Sequence, residues 1–200
     1  MSSPDSEINP EVIDAAHALV GRSGLSALTI ERLAEAAGTS RMTLHRRGVS
    51  RGRVVEALVL RAGEAYVAAL WPALTSPGTG ADRLTDALVA ICATADDHLA
   101  LLAGLFAESD SPFHRAAGDE DQRETDALFV APLARLLRDG ELDGSLAHVD
   151  DPDETATVMF NLVGWGYIHL RHAQQWPSSR AQPAAVSFAL ASVTPRPARN

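Results

Sequence analysis

Leu28-Thr-Ile-Glu-Arg-Leu-Ala-Glu-Ala-Ala-Gly-Thr-Ser-Arg-Met-Thr-Leu-His-Arg-Arg47 is the stretch whose reading decides the fold. Ile30, Leu33, Ala34 and Ala37 recur in it at helical spacing and predict a short helix with one apolar face. Thr29 stands at the N-cap position, with Leu28 and Leu33 placed as a hydrophobic staple. Gly38 suits the positive φ of a tight turn. Ser40 then caps a second short helix, Arg41 to about Arg47, and Gly48 breaks it. Ala34 is small where two helices must approach, and Thr39 and Leu44 tie the second helix to the core. This is the layout of a helix-turn-helix, whose second helix is free to enter a major groove.

That second helix turns Arg41, Met42, His45 and Arg46 outward. An arginine can pair with both acceptors of guanine and a methionine can touch a thymine methyl, so these four are candidate base readers. Thr29, Thr43, Arg47 and Arg51 are candidates for the phosphates, as are Arg53 and the amides opening the helix after Ser50, and the cap Ser40 is counted among the DNA-binding residues.

The charge distribution supports this. The net charge is −9, yet up to Leu60 seven arginines balance seven acids, so the whole excess falls later. Ala36 to Val55 holds Arg41, Arg46, Arg47, Arg51 and Arg53 and no acid. A basic stripe on an acidic chain can take phosphate while the rest favours solubility.

The pattern outward from this stretch is helical throughout, and no run alternates as a strand would. Asn9-Pro10-Glu11 starts a first helix that Ser23-Gly24 ends. Ser50 caps a long fourth helix running toward Leu74. After the loop Pro77 to Gly80 come helices over about 81–95 and 98–108, a polar loop over 109–119, and a helix over 121–139 that Pro132 can bend. Gly140, Gly144 and residues 150–152 mark another loop, followed by a long helix over 153–175 and a final one over 181–193. The expected fold is all-α, with about nine helices. A head over residues 1–52 precedes a larger helical domain over 53–200.

Val12-Ile-Asp-Ala-Ala, the segment Leu28 to Ser40 and Thr43-Leu-His resemble the N-terminal signature of the tetracycline-repressor (TetR/AcrR) family, over roughly residues 10–58. The resemblance implies an all-helical homodimer whose C-terminal domain binds a small-molecule effector and controls the DNA-reading heads. Three positions depart from the family's pattern. His45 replaces a tyrosine, Gly48 replaces an apolar residue, often phenylalanine, and Arg51 replaces a lysine.

In the second domain the long helix is apolar on two sides. Val158, Leu162, Trp165 and His169 lie on one, and Met159, Val163, Gly166 and Leu170 on the other. The second set, with Val186 and Leu190 of the last helix, is the expected dimer interface. A two-fold dimer would double the reading helix and make its DNA site palindromic. Leu102, Phe106, Phe129, Leu133, Trp165 and His169 are the candidates for a mostly apolar effector pocket.

Other classes find little support. The single cysteine, Cys92, forms no internal disulfide and no cysteine zinc site. His98 near Asp96 and Asp97, and the pair His169 and His172, lack a complete ligand set, so no metal and no cofactor are expected. No phosphate loop, nucleophile elbow or zinc-protease helix occurs, so no catalytic residue is assigned. No apolar run approaches the ~20 residues that span a bilayer, and residues 1–10 lack the apolar core of a secretory signal, so a cytoplasmic protein is expected. The expected function is a repressor released from double-stranded operator DNA by a small, mostly apolar effector. The alternative is a helical protein-interaction module whose helix-turn-helix no longer reads DNA.

Overall fold

A computed structural model describes residues 8–107 and 126–195. It has nine α-helices and no strand among the described residues. They are α1 (Pro10–Ser23), α2 (Ile30–Ala36), α3 (Arg41–Arg46), α4 (Arg51–Thr75), α5 (Gly80–Asp97), α6 (Leu99–Ala107), α7 (Ala131–Leu142), α8 (Pro152–His172) and α9 (Ser178–Ala191). A short 3-10 turn, Leu25–Ala27, precedes α2, and a π-helical turn, Asp126–Val130, leads into α7.

Two compact units form. The first takes the chain up to Glu64 together with α6. Its core joins Leu19, Leu25, Leu33, Leu44, Val54 and Leu101. Leu33 and Leu44 have no exposed surface, and burying each contributes about 1.5–3 kcal/mol. Gly104 of α6 lies against Leu25, where a Cβ would stand only 2.4 Å from that side chain. In the same unit the His17 and His98 rings meet edge to face, with centroids 5.3 Å apart.

The second unit runs from Ala65 to Asp97 and resumes with the π-helical turn. In it α5 packs against α7, α8 and α9, α7 against α8, and α8 against α9. Leu84, Leu88, Leu133, Leu136, Val163 and Tyr167 fill the centre. These units divide the chain at Glu64 and assign α6 to the first, whereas the sequence suggests a division after residue 52 and places α6 in the second part.

Several helix ends fall where the capping residues put them. The Asn9 side chain accepts from Glu11 N at 2.9 Å, and the Asp151 carboxylate accepts from the amides of Asp153 and Glu154. Three expectations need correcting. Gly140 does not break a helix, because α7 passes through it to Leu142. It is the point where α5 and α7 touch, and a Cβ on Gly80 would lie 2.2 Å from the Gly140 backbone. Pro132 sits in the first turn of α7, where its missing amide donor is harmless, rather than at a mid-helix bend. The last helix starts at Ser178, three residues early and directly after Pro177, and it holds Pro183 within it. The loop expected over 109–119, and residues 121–125 of the helix expected next, lie outside the described residues.

Candidate nucleic-acid interface

Two capped helices joined by a glycine turn build the candidate site. Thr29 Oγ1 accepts from Arg32 N at 3.2 Å, and Ser40 Oγ accepts from Thr43 N at 3.0 Å. At the end of α2, Gly38 takes φ +61°. There the Gly38 amide donates to Glu35 O at 3.2 Å and the Thr39 amide to Ala34 O at 2.9 Å. The end of α3 repeats this pattern. Gly48 takes φ +67°, its amide donates to His45 O at 2.9 Å, and the Val49 amide donates to Leu44 O at 3.0 Å. Both are Schellman motifs, in which a left-handed glycine lets two amides satisfy the last carbonyls of the helix.

The second motif revises the reading of Gly48. The apolar residue missing at position 48 is supplied one residue later, since Val49 is buried with Leu44. A hydrophobic contact across the helix end accompanies this motif. Leu44 and Val49 thus hold α3 to the core from both sides of the turn.

The side chains of Arg41, Met42, His45 and Arg46 are all exposed, Met42 at 72%. Positions 41, 42, 45 and 46 share one face of a helix, so the four form a single outward row. The expected phosphate contacts divide into two kinds. Arg47 is exposed and makes no ion pair among the described residues. Arg51 is half-buried, and its Nε donates to Leu28 O at 3.2 Å. Arg53 Nη1 donates to Gly48 O at 2.9 Å. These two guanidinium groups fasten the head as well as adding charge. Thr29, Ser40 and Thr43 carry the capping bonds, Thr43 through its amide and through its hydroxyl, 2.9 Å from Ser40 Oγ.

The residues expected to line an effector pocket belong to both units. Leu102 and Phe106 lie in the first unit; Phe129, Leu133, Trp165 and His169 lie in the second. Leu133 is fully buried core, and His169 is exposed. Phe129 instead joins Tyr66 and Phe160, with ring centroids 5.0 and 5.5 Å away. The Tyr66 hydroxyl donates to Phe129 O at 3.0 Å, and burial pushes its pKa up. Tyr66 and Phe160 carry no motif, and only their shared inward direction marks them. Burial and then Asp96 push the Cys92 thiol up to about 12, so it stays a neutral packing group. Asp96 accepts from the Tyr167 hydroxyl at 2.7 Å and from Arg171 Nε at 2.6 Å.

Of the six residues expected at a dimer interface, three are buried within the single chain. Met159, Val163 and Val186 are buried in the second unit's own core, Leu170 and Leu190 are half-buried, and Gly166 is exposed. The apolar side chains left outside on α8 and α9 are Val158, Leu162 and Phe188, at 51%, 55% and 71% exposure. They line a shallow groove with Met159 and Ala189. No described helix is by itself long and apolar enough to cross a membrane.

Residues 12–58 match the family model described as bacterial regulatory proteins, tetR family. Solved structures of that kind match nearly the whole chain. A TetR-family transcriptional regulator from Rhodococcus sp. aligns with a TM-score of 0.71 at 20% identity, covering 92% of this chain and 96% of that one. SmeT in complex with triclosan aligns with a TM-score of 0.66 at 18% identity, covering 95% and 98%. The ketosteroid transcriptional regulator KstR2 of Mycobacterium tuberculosis aligns with a TM-score of 0.62 at 16% identity, covering 96% and 100%. A search of curated proteins gives no match. The fold is that of solved TetR-family regulators, and the family-model match falls on the head.

Proposed function

We propose that this transcriptional regulator, whose residues 12–58 form a tetR-type head, is a homodimeric repressor released from a palindromic operator by a small apolar effector. The observation that carries the reading is the outward row Arg41, Met42, His45 and Arg46 on a helix capped at both ends and pinned by Leu44 and Val49. Arg41 and Arg46 would read guanine edges and Met42 a thymine methyl. Arg47, Arg51 and the amides after Ser50 would take phosphate. SmeT, solved with triclosan, and KstR2, a ketosteroid regulator, share the fold and support an apolar effector. An effector that binds one arrangement of the two heads more tightly shifts the population toward it, and heads wrongly spaced for successive major grooves let go.

The deciding experiment is a selection from random and genomic DNA with the full chain. It should return one palindromic sequence class, bound with an affinity that falls steeply as salt rises. Failure to enrich any sequence would favour the interaction-module reading instead.

A further inference from the structure

Among the described residues, one acid reaches the reading helix. Ala36 to Val55 holds five arginines and no Asp or Glu, yet Glu31, from the first turn of α2, places Oε1 3.0 Å from Nη1 of Arg41. Both side chains remain largely in solvent, at 72% exposure for Arg41 and 58% for Glu31. A carboxylate beside the base-reading row repels phosphate and lowers affinity for every DNA sequence. Its effect on Arg41 runs the other way. A free arginine side chain samples many rotamers, and ordering it on DNA costs side-chain entropy. The contact with Glu31 favours one arrangement of it before DNA arrives. The ion pair uses one N–H of Nη1, and the four remaining guanidinium donors still suffice for O6 and N7 of one guanine.

We infer that Glu31 is a positioning residue that acts through Arg41, holding the guanidinium toward one base pair and exchanging general DNA affinity for discrimination there. This rests on the DNA-reading function proposed above. Glu31 is also a first-turn acid that favours the α2 dipole, so its test must separate that structural role from an effect on reading.

Sequence selection with the full chain and with Arg41→Ala first identifies the operator position that Arg41 reads, since preference flattens there. Glu31→Gln keeps the shape and removes the charge. It should lower discrimination at that position by about 1.5- to fivefold, the strength of an exposed ion pair. It should also raise affinity for unrelated DNA. In the Arg41→Ala background the same substitution should leave discrimination at that position unchanged. Unaltered discrimination in Glu31→Gln, or an equal change in both backgrounds, overturns the inference while leaving the regulator reading intact. A wild-type chain that prefers no sequence overturns both.

Discussion

Gly48 closes α3 with φ +67°, where an L side chain is strained, and a Cβ there would stand 3.2 Å from Arg53 Nη1. Gly48→Ala should therefore lower stability by about 1–2 kcal/mol in urea unfolding, and Gly48→Asn by clearly less, since asparagine tolerates this region. Equal effects would show that crowding by Arg53, not backbone strain, governs the position. The exposed arginines should divide by partner. Arg46→Ala should cost about 1–3 kcal/mol of preference at one base pair. Arg47→Ala should weaken all sequences alike and reduce the salt slope by about one. Identical profiles for the two would contradict the assigned roles. How α3 ends was only half legible in the sequence. The glycine stop was plain, but the buried place falls to Val49 through a bond spanning five residues. Side-chain spacing does not report such a turn. Arg51 was likewise visible as charge, while its bond to Leu28 O depends on the path of the preceding loop.

At the scale of helices, capping residues were legible because each acts within its own turn, as Asn9, Thr29 and Ser40 do. Contacts between helices were not. Gly140 reads as a breaker, yet it is the surface on which Gly80 rests. Alanine normally favours a helix over glycine by about 1 kcal/mol. Gly80→Ala should nevertheless destabilise the protein, by roughly 1–3 kcal/mol as overpacking does. A raised melting temperature would show that α5 and α7 can part without loss. Beyond α7, His148 Nδ1 lies 2.6 Å from Glu141 Oε1, with Asp150 on its other side at 3.7 Å. The Glu141 hydrogen bond and charge raise the His148 pKa above 6.5. The raised group contributes stability that is fully present below its unfolded pKa and lost as pH rises through its folded value. The difference in melting temperature between wild type and His148→Ala should thus shrink from about pH 5 to pH 8. A difference that grows over this window would reverse the sign and exclude the pair as its source. Asp143 behaves oppositely. Hydrogen bonds from Ser145 and the Gly80 amide lower its pKa, so its contribution is present above the unfolded value and is lost as pH falls through the folded one.

For the whole molecule the open matter is what covers α8 and α9. The sequence showed that α8 is apolar on two sides, but two apolar sides look alike until one meets a neighbour. Val163, with 1% exposure, faces the unit's own core, whereas Leu162, with 55%, does not. A second copy is the occupant that the proposed function calls for. A six-residue reading helix spans few base pairs, and two heads on half-sites ~34–36 Å apart double the information. Light scattering at micromolar concentration should give twice the 21.2 kDa chain mass. Leu162→Glu and Phe188→Glu would place a charge in a two-fold contact twice over, once from each copy. Each should yield a folded monomer with unchanged helix content and at least tenfold weaker operator binding, a loss of about 1.4 kcal/mol or more from burial forgone. Val163→Glu should unfold the chain instead, because its carboxylate would enter the core without a partner. If Leu162→Glu remains a dimer, the interface lies away from this groove. If Val163→Glu folds as a monomer, the buried face of α8 has been misassigned, and the interface first expected from Met159 and Val163 returns.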